Sequence, residues 1–212
     1  MSGARSAPQR ARTLGRRSFG KAVQTPRIWK YRALSSCDRV SGEPIALQPV
    51  LFAGDGEIVI GSNVEFGFPT SVAFFTGYCH VEASVPGSFV SVGDGAQVNN
   101  SVFIKSEGPG ISIGPAALLG SFVTILDSDF HELDPRRRRG GQPAMGHVEL
   151  GDNVFIGDGV RILKGVSIGA HSVVGAGSVV TNSIPAGVVA AGNPARVIRA
   201  LDQVDERQLT CP

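Results

Sequence analysis

A chain of 212 residues is long enough for one large domain, or for a domain with a small appendage. With 42% hydrophobic residues, 28 glycines and only 7% aromatics, it reads as many short strands joined by tight turns, not as a core of bulky rings. No run of 18 apolar residues is present, so no helical membrane span is expected.

The formal net charge of +2 joins a basic head to an acidic body. Residues 1–36 hold nine Lys/Arg and no acid, which leaves eleven basic and eighteen acidic residues in the remainder. Cys37, Cys79 and Cys211 are widely spaced and form no CxxC pair. That argues against a disulfide framework or a zinc site and fits a reducing, cytoplasmic compartment. No apolar stretch follows the first arginines, so no secretory signal is expected.

In chain order, residues 1–57 read as a basic arm and a lead-in segment. The arginines of the arm are interleaved with Phe19, Ile28, Trp29 and Tyr31, without any repeat. One reading is an arm partly packed on the first coil of the body. The other is peripheral docking on an anionic membrane face, worth about 1 kcal/mol per Lys or Arg. Nucleic-acid binding has no further support.

From 58 to 192 a period of six dominates. Leu150, Ile156, Ile162, Ile168, Val174 and Val180 recur at that interval, and the next position is glycine at 151, 157, 169 and 175. Val154, Val160, Val166, Ser172, Ser178 and Ile184 form a second small or aliphatic series. Strand alternation alone would give part of this pattern, but not glycine locked to one phase. Such a glycine marks a bend that needs small size or positive φ. The phase extends upstream through Ile60, Phe66, Val72 and Tyr78, restarts at Val92, Val98 and Ile104, and restarts again at Ile113, Leu119 and Ile125.

The interval from Ile125 to Leu150 is 25 residues, so a loop (127–147) bulges from the repeat. It reads DSDFHELDPRRRRGG from Asp127, the most polar stretch of the second half. A loop of this length inside a compact repeat is usually functional or disordered. Beyond Gly192, Asn193 can cap a helix and Pro194 suits its first position. The stripe Val197, Ile198, Leu201, Val204 and Leu209 predicts a C-terminal helix within 193–212.

The hexads, together with TILDSDFHELD and VELGDNVFIGDGVRILKGVSIG, resemble the hexapeptide-repeat acyltransferases, and within them the maltose- and galactoside-type sugar O-acetyltransferases. The resemblance implies an all-β fold, a left-handed parallel β-helix of about five coils, assembled as a homotrimer. It implies transfer of an acetyl group from acetyl-CoA, as co-substrate and without a metal, to a hydroxyl of a sugar or glycan acceptor. Surface-polysaccharide synthesis would be its setting. By the same resemblance His131 is the catalytic base. Asp127, Asp129, Asn99 and Asn100 are candidates for orienting it or holding the acceptor. Phe155, Asp158, Ala176, Thr181, Arg196 and Arg199 fall at donor-binding positions. Phe155 stands where that branch often has Trp, Asp158 where it often has a small residue, and Asn182 where it often has Lys.

The chemistry of a histidine here is sound in itself. An alcohol attacking a thioester must lose its proton, and a neutral imidazole with an ordinary pKa of about 6.5 can accept it. Arg136–Arg139 could face the phosphates of coenzyme A or of an anionic acceptor, or simply form a solvated tip. His80, His147 and His171 fall in strand-like or corner positions. A zinc carbonic anhydrase on the same prism would need closely spaced histidine ligands, and His131 and His147 are sixteen apart, too far for such a pair. Two alternatives stay open: acylation of an amino sugar or antibiotic on the same fold, and an inactive scaffold.

Overall fold

The computed structural model describes residues 7–201. Three parallel sheets of six, eight and six strands wrap around a single aliphatic core. The chain visits the sheets in rotation, so each circuit makes one coil. Six coils stack from Val40–Ser41, Ile45–Ala46 and Val50–Ala53 up to Ser167–Ile168, Val173–Val174 and Val179–Val180. Every ladder within the coils is parallel and in register, as in Leu119↔Ile156↔Val174 and Ile125↔Ile162↔Val180.

The period of six follows from the corners. Each flat face is only two to five residues long, with the hexad aliphatic pointing inward, as in Ile104, Ile125, Ile156 and Ile162, all fully buried. Burying one such side chain stabilises by roughly 1.5–3 kcal/mol, and the column repeats that gain at every coil. The two glycines of Ile156-Gly157-Asp158-Gly159 show what a corner requires. A Cβ at Gly157 would lie 2.6 Å from the Ala176 amide nitrogen of the next coil, whereas Gly159 faces open space but has φ +68°. The phase-locked glycine therefore answers close stacking. The left-handed conformation falls two residues later, where Asn63, Ala116, Asn153 and His171 also adopt it, at the cost such residues bear there.

Four expectations change. The prism does not begin at 58: Val40–Ala53 adds a coil below it, which makes six instead of five. That coil's corner glycines Gly42 and Gly54 are twelve residues apart, and a Cβ on either would meet a backbone carbonyl of the coil above, that of Ile60 or of Ala83. Val72 and Tyr78 are not core positions, being 62% and 36% exposed. Their segment bulges between Phe66 and Cys79, and Val81 takes the inward place beside Ile104. The basic arm, for which no helix was expected, is helical, α1 (Ala7–Leu34), and its last turns pack on Val50–Ala53, in line with the reading of an arm partly packed on the first coil. Gln24 Nε2 and an Arg27 guanidinium nitrogen donate to the carbonyls of Phe74 and Gly77 at 2.6 and 2.5 Å, and Tyr31 lies against Tyr78.

The fourth change is at the other end. Val188–Gly192 and Ala195–Ala200 form an antiparallel hairpin around a cis Asn193–Pro194 bond where a helix was expected. The top edge of the second sheet has unpaired N–H and C=O groups, and a strand satisfies them where a helix cannot. Val197 and Ile198 consequently face outward. Val204 and Leu209, the rest of the helical stripe, lie outside the described residues. Among the described residues no helix is long and apolar enough to cross a membrane.

The core also carries a testable thiol. Cys79 is fully buried, its Sγ donates to the Asn99 carbonyl at 3.2 Å, and burial pushes its pKa up to about 12. Native protein treated with iodoacetamide at pH 8 should leave Cys79 unmodified, and denatured protein should label it, as peptide mass mapping would read out.

Candidate active site

The polar loop leaves the prism after Thr124–Leu126 and returns at Val148–Leu150. Its two limbs pair at the base. Ser128 bridges Met145 in antiparallel fashion, the Asp129 N–H donates to the Ala144 carbonyl at 3.0 Å, and the Gly146 N–H donates to the Asp127 carbonyl at 2.9 Å. The returning limb then rests on the next coil, where the Gly165 N–H donates to the Gly146 carbonyl at 3.0 Å.

Asp127 is fully buried and its carboxylate is already committed. It accepts the Ser106 hydroxyl at 2.7 Å and the backbone N–H groups of Glu107, Gly108 and Gly110 at 2.9, 3.1 and 3.0 Å. It anchors the loop to the preceding coil and gives the imidazole of His131 no contact. Asp129 lies 2.8 Å from Lys164 Nζ, so neither acid expected to orient the histidine is bonded to it. Phe130 adopts φ +60°, and its N–H donates to Ser128 Oγ at 2.9 Å. His131 follows, exposed and without a hydrogen-bond partner among the described residues. It is an exposed loop residue with acid–base chemistry that the fold leaves unbonded, whereas His147, likewise without such a partner, is half-buried against Phe89.

The arginine run is partly answered from within. Asp134 accepts Arg136 through both oxygens, at 3.1 and 3.0 Å, and this guanidinium holds its carboxyl below the usual range. Arg137 pairs with Glu132 at 3.5 Å and Arg138 donates to the Leu133 carbonyl at 3.2 Å. The acids of ELDPRRRR thus serve its own arginines.

The expected donor residues fall on a different face. Phe155, 48% exposed, lies on the second sheet between Leu118 and Val173. With Phe68, Asn99, Gly120 and Asp158 it lines a shallow groove of about 300 Å³. Asp158 turns its carboxylate into the corner below, where Oδ1 accepts the Ser121 N–H at 2.6 Å. Asp94 does the same for the Ser62 N–H at 2.7 Å. Asp158 is therefore a corner clasp that the repeat uses twice.

Asn99 and Asn100 separate in role. Asn99 reaches the groove and donates to Ser71 Oγ at 3.0 Å. Asn100 is buried, accepts the Phe68 N–H, and donates to the carbonyls of Phe68, Ser71 and Val72. It holds the 67–78 bulge in place and has nothing left for an acceptor. Ala176 sits at the corner stacked on Gly157, and Thr181 accepts from Asn182 Nδ2 at 3.0 Å. Arg196 and Arg199 lie on the terminal hairpin strand, opposite Ala191 and Val189. That strand belongs to the same sheet as Phe155, so Phe155, Arg196 and Arg199 share one face, while Thr181 follows Val179–Val180 of the third sheet, the sheet from which the loop of His131 leaves.

Of the other histidines, His171 forms a corner with Nδ1 3.2 Å from Asn153 Nδ2, and His147 lies near the Phe89 ring. His80 meets the Phe103 ring edge-on beside Glu82, and its pKa is lowered by burial against the pull of that carboxylate. Among the described residues no three His, Cys, Asp or Glu converge as a metal-binding set. The sequence reading passed over Lys164, and with it the Glu82–Lys105–Glu107 ion-pair row at 3.1 and 3.3 Å. That Lys164 is one of only two lysines between residues 58 and 192 was the available signal.

Comparison with known proteins agrees with this architecture. The family model for the bacterial transferase hexapeptide (six repeats) matches residues 147–182. The galactoside O-acetyltransferase of Escherichia coli is 38% identical over 120 residues, 57% of this chain and 58% of its own length. The chain spans about half to three-fifths of the length of the curated relatives it matches. Among solved structures, a galactoside acetyltransferase in complex with coenzyme A is 30% identical, with a TM-score of 0.52 over 81% of this chain and 68% of that one. A hexapeptide-repeat acetyltransferase from Vibrio cholerae, complexed with acetyl coenzyme A, is 28% identical, with a TM-score of 0.50 over 72% and 70%. The coiled prism with its single protruding loop is thus a left-handed parallel β-helix, and the chain belongs to the hexapeptide-repeat acyltransferase family.

Proposed function

We propose that this protein is an acetyltransferase that moves the acetyl group of acetyl-CoA to a hydroxyl of a sugar or glycan, with His131 as general base. The observation that carries the reading is the loop. An aliphatic repeat projects an exposed, unbonded imidazole from a stem anchored by the buried Asp127. The imidazole takes the acceptor's hydroxyl proton as the oxygen attacks the thioester carbon. The C–S bond then breaks, and the proton returns from the imidazolium to the departing thiolate. No protein nucleophile is needed when both substrates bind together.

The groove beside Phe155 and the arginines of the terminal hairpin would take the donor, with Arg196 and Arg199 suited to its phosphates by their forked geometry. Because these residues and His131 occupy different faces, a complete site needs a second copy of the chain. The exposed Phe68, Leu118, Phe122 and Phe155 supply apolar area for such an assembly, proposed as a trimer.

A thiol-release assay with acetyl-CoA and a panel of sugars tests the reading. Turnover on one or more hydroxyl acceptors is expected. Turnover only on amines would move the assignment to N-acylation, and absence of both turnover and CoA binding would refute it.

The all-basic arm is proposed to touch anionic membrane surfaces. Full-length protein should co-sediment with phosphatidylserine vesicles more than protein lacking residues 1–36 does, and equal partitioning would refute that contact.

A further inference from the structure

The geometry points to Lys164 as the positioning residue for His131, acting through Asp129 across two coils. The inference rests on His131 being the base proposed above. Each residue leading to the imidazole is tied down. Asp127 accepts four donors, Ser128 bridges Met145, and Phe130 is held at φ +60° by Ser128 Oγ with Lys105 Nζ 5.1 Å from its ring. His131 has no tie of its own, so the segment before it decides where the imidazole points.

Asp129, two residues before His131, has its side chain fixed from the coil that follows the loop, whereas Asp127 is fixed from the coil before it. Its Oδ1 lies 2.8 Å from Lys164 Nζ, and the two side chains are 24% and 29% exposed. Lys164 stands at a corner of the fifth coil, between Arg161–Ile162 and Ser167–Ile168. The neighbouring Gly165 N–H donates to Gly146 on the returning limb. Those backbones are so close that a Cβ on Gly146 would lie 2.7 Å from Gly165 Cα. One corner therefore clamps both limbs of the loop, one through the backbone and the other through the ion pair.

Lys164 is one of four lysines in the chain. The equivalent place in other corners holds small, acidic or proline residues such as Ser121, Asp158 and Pro115. A partly exposed pair adds little to global stability, so its consequence is local: it fixes the loop where small displacements are costly in rate.

The test uses the full chain with Lys164→Ala, Lys164→Arg, Asp129→Ala, the Lys164→Ala/Asp129→Ala double variant and, in parallel, His131→Ala. Lys164→Ala should lower kcat about tenfold, with KM for acetyl-CoA held within about twofold and an unchanged melting temperature. Lys164→Arg should recover most of the rate, and the double variant should be no worse than the poorer single one. Hydrogen exchange at the amides of residues 128–131 should quicken in Lys164→Ala, revert in Lys164→Arg, and stay constant elsewhere. Unaltered exchange there, a wild-type kcat in Lys164→Ala, or additive losses would each overturn the positioning role. Full activity in His131→Ala would instead overturn the general-base reading. A collapse in His131→Ala with no effect in Lys164→Ala would remove this inference alone.

Discussion

Replacing His131 by alanine is expected to lower acetyl transfer by about 10²–10⁴-fold, the usual contribution of a positioned general base. Folding should be unaffected, because the side chain is exposed and bonds to nothing among the described residues. The loss should fall on kcat, with KM for acetyl-CoA little changed. Phe155, Arg196 and Arg199 lie on the second sheet and its terminal hairpin, away from the loop, and an interaction made only as the proton moves does not contribute to ground-state binding. Steady-state kinetics with a circular dichroism melt of the same preparation would check both parts. Activity within twofold of wild type would remove His131 from the mechanism.

Asp127→Ala should give the largest loss of stability. It orphans the Ser106 hydroxyl and three backbone N–H groups where the carboxylate is fully buried. An unsatisfied buried donor costs about 1–3 kcal/mol, and water entering the vacated space relieves part of that. A net loss on the order of 3–4 kcal/mol is expected, near the upper end for single substitutions, and urea titration would measure it. Asp127→Asn should cost less. An amide oxygen can keep the three donors on Oδ2, while its NH₂ is set against the Glu107 N–H. Activity should fall in both variants, because the loop stem loses its anchor four residues before His131. A wild-type denaturation midpoint in Asp127→Ala would show that the four hydrogen bonds do not hold the stem.

How legible this was differs by kind of residue. The columns were legible through the period and the family it resembles: Ile104, Ile125, Leu150, Ile156 and Ile162 fall at the recurring aliphatic position and are buried in the core. The loop's limits were legible too, since a sustained period of six makes any excess residue stand out. Val72 and Tyr78 misled because they keep the six-residue interval inside a bulge that leaves the coil. The interval records spacing, not direction. The terminal hairpin misled for another reason. Local helical signals at Asn193 and Pro194 competed with the open edge of a sheet, and the edge's unpaired backbone prevailed.

Polar residues were the least legible. Asp127, Asn100 and Asp158 all looked available for chemistry, yet each is spent on a neighbouring coil, with partners between 17 and 37 residues away along the chain. Lys164 looked incidental and proves to grip the loop from 35 residues away.

By itself the sequence determined the repeat and the place where a histidine-bearing loop interrupts it, because the period is a local property, while parallel stacking was implied by the family resemblance. Only the tertiary structure decided which acids were free, that a first coil lies below the recognisable hexads, and which lysine meets Asp129. Those depend on which corner stacks over which, and a hydrogen bond between coils is fixed by that stacking instead of by nearness in sequence.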